Sequence, residues 1–109
     1  MSVPETILQQ LGGQRFIAMT GASHFVADGN SLRMRLPKNE SKANFLTITL
    51  DEGRDTYSMR FFYYKMGRIS LKTGKTIPDV EREIAAYTDV YAEDLERFFT
   101  DTTHMHTYL

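Results

Sequence analysis

The chain has 109 residues, 41% of them hydrophobic and 25% charged, with no cysteine and a formal net charge of −1. The missing cysteines exclude a disulfide scaffold, thiolate catalysis and cysteine-ligated zinc, and the length predicts a single domain over residues 1–109, able to bury roughly 65% of the surface its unfolded chain exposes. The near-neutral total hides a division: residues 1–76 hold eleven Lys or Arg against six Asp or Glu, whereas residues 77–109 hold two against eight.

No repeat, low-complexity tract or basic leader is present, and no apolar run approaches a membrane span, so the expectation is a soluble, cytoplasmic protein without a membrane role. "PETILQQLGG" predicts a short helix: Ile7 and Leu11 are four apart, Pro4 suits a first turn and Gly12-Gly13 stops it. "RFIAMTGA" reads as a strand with apolar residues on both faces. "HFVADGNSLRMRLPK" reads as a hairpin around "ADGN", whose Asp-Gly and Gly-Asn steps tolerate positive φ.

Past that turn, "SLRMRLP" places Leu32, Met34 and Leu36 on one face and Arg33 and Arg35 on the other. "NFLTITLDE" repeats the pattern, with Leu46, Ile48 and Leu50 opposed by Thr47 and Thr49. "DEGRD" then turns the chain into "TYSMRFFYYKM", where Tyr57, Met59, Phe61 and Tyr63 form one set while Ser58, Arg60, Phe62 and Tyr64 form the other. The second set joins the Arg and Thr face. Residues 78–88 support two readings: Val80, Ile84 and Tyr87 fit a helix with Thr76 and Asp79 as a capping box, yet Val80, Arg82, Ile84 and Ala86 alternate as a strand does. The helix reading is taken first. "YAEDLERFF" predicts an amphipathic helix through Tyr91, Leu95, Phe98 and Phe99, with acids near its start.

The fold class expected is therefore α+β: an antiparallel meander sheet of four or five strands, a short N-terminal helix, and a C-terminal amphipathic helix packed on the Leu, Met and Ile face.

The stretches "ILQQLGGQRFIAMTGASHFVADGNSLRMRLP", "NFLTITLDEGRDTYSMRFFYY" and "VYAEDLERFFTDTTHMHTYL" together resemble a family of small proteins of bacteriophages and prophage-bearing bacterial genomes. "QLGGQRFIAMTGA" and the Asp55, Tyr57 pair carry most of the likeness. The ending "THMHTYL" departs from the Gly-Leu-Tyr type that the resemblance implies, and in similar sequences the stretch before "VYAEDL" is strand-like. The resemblance brings no activity, cofactor or site residue with it.

Catalytic and metal constellations are weak. His104 and His106 form an H-x-H near the terminus and read as a polar tail, since a zinc site usually takes three or four protein ligands. Asp51, Glu52 and Asp55 read as turn formers. No phosphate loop, serine elbow or zinc-protease motif occurs, and the expectation is a protein with no enzymatic activity, cofactor or metal. The feature that remains is one sheet face: Arg33, Arg35, Thr47, Thr49, Arg60, Phe62 and Tyr64, if the three strands pair in order. Guanidinium groups and flat rings on such a face engage a partner protein, such as a host defence protein; single-stranded nucleic acid and small nucleotides are the alternatives. "RFFYY" has large rings on both sides, so Phe62 and Tyr64 are expected under a helix of the same chain, against a second copy in a homodimer, or against a foreign partner.

Overall fold

Antiparallel pairing collects the alternating segments into one sheet in the computed structural model, which describes residues 2–106. The last three residues of "THMHTYL" lie outside the described residues. Helix α1 (Val3–Leu11) forms as expected: Ser2 accepts a hydrogen bond from the Glu5 N–H at 3.3 Å, and Ile7 and Leu11 are buried. Helix α2 (Gln14–Thr20) replaces the strand expected from "RFIAMTGA". Its buried residues Phe16 and Thr20 are four apart, and Gly21 ends it in the left-handed conformation (φ 74°) that glycine adopts without penalty. Apolar residues on both faces had mimicked a buried strand; the helix-ending Gly21 is the signal that separates the two.

Strands β1 (Ser23–Asp28), β2 (Ser31–Arg35), β3 (Phe45–Asp51) and β4 (Thr56–Lys65) follow as a meander, and the sheet is completed by β7 (Val80–Val90) in the order β1-β2-β3-β4-β7. Between β4 and β7 the chain leaves the sheet as a small ribbon, β5 (Arg68–Ile69) paired with β6 (Thr76–Ile77). Residues 78–88 thus resolve against the helix reading: Val80–Val90 is a strand, paired with β4 from Tyr57↔Val90 to Lys65↔Val80. The cause is tertiary. The long strand β4 pairs with β3 along one edge and would leave the backbone N–H and C=O groups of its other edge unpaired, and β7 supplies their partner; the register shifts of β7 near Ile84 and near Thr88 and Asp89 blur the alternation in the sequence. Thr76 and Asp79 accordingly cap no helix.

A 3-10 turn (Ala92–Asp94) leads into helix α3 (Leu95–Thr103), which buries Leu95, Phe99 and Thr103. Tyr91 stays exposed ahead of the turn instead of joining the helix face. The core lies between this helical layer and one side of the sheet. Ile7, Leu11, Phe16, Leu95 and Phe99 meet Leu32, Met34, Leu46, Ile48, Met59 and Phe61, with the Phe99 ring 4.9 Å from that of Phe16 and 6.3 Å from that of Phe61. The helices therefore cover the Leu, Met and Ile face. The ribbon lengthens the molecule to 50 × 33 × 23 Å, with a radius of gyration of 15.4 Å, where a globular chain of this length would show about 13 Å.

Candidate functional site

The uncovered side of the sheet is built by register. Arg33 pairs with Thr47 and Thr47 with Arg60; two rungs along, on the same face, Arg35 pairs with Phe45 and Phe45 with Phe62. Thr49 lies between Ser31 and Ser58, and its hydroxyl is 2.7 Å from that of Ser31. Tyr64 stands opposite Glu81 of β7. All seven residues expected on this face are on it.

Phe62 is 6% exposed although no helix lies over it. Its neighbours within the sheet do the covering. The Phe45 ring stacks on it at 5.5 Å and 14°, and the Arg60 guanidinium sits 4.5 Å from its centroid on the ring face. Phe45 is the face residue absent from the expected set; its spacing of two from Thr47 and four from Thr49 is the sequence signal that places it there. Tyr64 meets Phe45 edge-on at 6.2 Å and donates its hydroxyl to Asp79 at 2.7 Å. That hydrogen bond, before burial and the nearby acids, raises the Tyr64 pKa above the ordinary tyrosine value. Asn44 extends β3 with backbone and side chain together: its N–H donates to the Phe62 carbonyl at 3.0 Å, its side-chain amide donates to the Tyr64 carbonyl at 2.7 Å, and its side-chain oxygen accepts from the Tyr64 N–H at 2.8 Å.

Charge on the face is mixed. Arg60 Nε lies 3.1 Å from Glu83 and its Nη1 lies 3.6 Å from Glu81, so the central cation is matched by two acids of β7. Arg33 and Arg35 are exposed and have no ion-pair partner among the described residues. The result is an open groove of about 530 Å³ with Phe45, Thr47 and Phe62 lining it alongside Arg33, Arg60, Tyr64 and Glu81.

The other candidates take structural places. Asp51 accepts from the Gly53 N–H at 3.1 Å and Asp55 adopts a positive φ of 54°, as turn formers do. His104 ends α3 in the left-handed conformation with its Nδ1 3.5 Å from Glu40, and Met105 packs against the core, so the segment is docked through residue 105 instead of trailing as a tail. Among the described residues no group of three or more His, Asp or Glu is placed to hold a metal ion, and no helix is long and apolar enough to cross a membrane. Compared with protein-family models, curated proteins and solved structures, the chain matches none.

Proposed function

We propose that this is a non-catalytic binding protein of the phage and prophage type that its sequence resembles, and that it engages a partner protein through the open face of its sheet. The observation that carries this is the groove floored by the Phe45 and Phe62 stack beside the exposed, unmatched Arg33 and Arg35. Flat rings already held in place lose little entropy on contact, and a guanidinium with no internal partner is available to an acidic group of another molecule. A protein partner is favoured over a polyanion because Glu81 and Glu83 share the face with the arginines. A host defence protein is a partner of the kind that phages target.

The test compares wild type with Arg33→Glu/Arg35→Glu in affinity capture from bacterial lysate, both confirmed folded by circular dichroism. The wild type is expected to retain a stoichiometric protein that the variant releases. Fluorescence anisotropy with labelled single strands at low salt checks the alternative. Binding that weakens steeply with salt and disappears in the variant would replace the protein partner by nucleic acid.

A further inference from the structure

Five of the seven large apolar side chains exposed among the described residues fall on the ribbon and its base: Met66, Ile69, Leu71, Ile77 and Val80, with Leu71 at 98% exposure. The ribbon register sets Ile69 with Thr76 on one face and Ile77 with Arg68 on the other, so the arm carries exposed apolar side chains on both sides, and such a concentration of apolar surface favours cover by a partner. The same segment holds Lys65, Arg68, Lys72 and Lys75, and no acid occurs between Asp55 and Asp79. The arm is also firmly set at its neck. Asp79 accepts from the Gly67 N–H at 2.5 Å and from the Tyr64 hydroxyl at 2.7 Å, and a β-carbon on Gly67 would lie 2.2 Å from the Ile77 carbonyl oxygen. The arm is thus presented at a defined place.

Strand register puts the acids at the other end. Asp51 pairs with Thr56, Tyr57 with Val90 and Asp28 with Ser31, so the turn at residues 52–55, the turn at residues 29–30 and the exit of β7 share the end away from the arm. Asp51, Glu52, Asp55, Asp89 and Glu93 lie at that end on the side of β4 and β7, with the exposed Tyr91 following β7, while Asp28 lies at the same end on the far edge strand β1, and Arg54 is bound to Asp89 at 3.0 Å. The chain's net −1 is the balance of +4 within residues 65–78 and −5 elsewhere.

We propose that the arm docks on the acidic end of a second copy of this chain, in a closed antiparallel pair. A twofold axis across the middle of β7, an edge strand, sets the Val80 end of one copy beside the Val90 end of the other. Each arm then reaches the partner copy's Tyr91 and the acids around it, both arms are covered at once, and the assembly closes. The register shifts of β7 interrupt a regular ladder along that edge, so the arms carry the contact. A nucleic acid fits less well, because the body that would approach it is negative. This pairing leaves the open sheet face free and does not depend on its role.

Sedimentation velocity over a concentration series tests the pairing. Wild type is expected to reach twice its 12.6 kDa mass at low salt and to dissociate as salt rises. Lys72→Glu/Lys75→Glu and Glu52→Lys/Glu93→Lys, all at exposed positions, are each expected to self-associate at least about tenfold more weakly. An equimolar mixture of the two variants restores the dimer, because each reversed arm meets a reversed end. A wild type that stays monomeric, larger open-ended species, a variant that pairs as well as wild type, or a mixture that stays monomeric would each overturn the proposal. So would a monomeric wild type that binds labelled oligonucleotide through Lys72 and Lys75.

Discussion

Phe62→Ala removes a ring that is 6% exposed, on a face that no helix covers. Returning a buried Phe side chain to water costs about 1.5–3 kcal/mol. Losing the stack on Phe45 adds about 0.5–1.5 kcal/mol. The contact with Arg60 adds less, since that guanidinium keeps Glu81 and Glu83 when the ring is gone. The expected loss is about 3 kcal/mol, measured as a shift of the urea midpoint at unchanged slope. In a thermal scan it corresponds to a drop on the order of 12 °C or more. A cycle with Phe45→Ala should recover about 1 kcal/mol of coupling between the rings. A loss below about 1 kcal/mol, or no coupling, would mean that the ring is not seated in the isolated chain and would remove the floor of the proposed groove.

Two further outcomes follow from the neck of the arm and the end of β3. The Gly67 N–H first, and the Tyr64 hydroxyl second, hold the Asp79 carboxyl below its ordinary range, while the hydrogen bond to Asp79 holds Tyr64 above its own. A lowered carboxylate contributes above its unfolded pKa of about 4 and is lost as pH falls through the folded value; a raised tyrosine contributes below about 10 and is lost as pH rises through the folded value. The Gly67 amide resonance should therefore stay constant between these limits and move on either side, and Asp79→Asn should abolish the acid step. Asn44→Ala strands two half-buried backbone groups of Tyr64; the expected cost is about 1–3 kcal/mol, with faster hydrogen exchange at the Tyr64 amide while that of Ile48 is unchanged.

The alternation of Leu32, Met34, Leu46 and Ile48 against Arg33, Arg35, Thr47 and Thr49 already specified which side of the sheet would be packed, because period two admits one assignment once a single face is apolar. That reasoning placed all seven face residues correctly. It failed where tertiary contacts outweigh local pattern. Phe16, Ile17 and Met19 read as a strand, whereas Thr20, whose hydroxyl donates to the Phe16 carbonyl at 2.7 Å, and Gly21 form the ending of a helix. Residues 80–90 were decided by the empty edge of β4, which no local window contains. The cover over Phe62 is likewise non-local, since Phe45, from the neighbouring strand, and Arg60 close over the ring within a single layer.

The neck at Gly67 and Asp79 divides the chain into two regimes of tolerance to change. Inside it, a single added methyl at residue 67 meets backbone oxygen, which has no side-chain rotamer through which to retreat. Beyond it, residues 71–76 are all exposed, and a β-carbon on Gly74 would meet nothing within 4 Å, though its φ of 69° still favours glycine. The tip is thus free to drift in length and composition while the sheet stays as it is. Folding alone leaves the arm variable, while pairing holds its cations in place, and foreign peptide sequence grafted between residues 70 and 75 should leave the sheet folded but weaken the association of two copies.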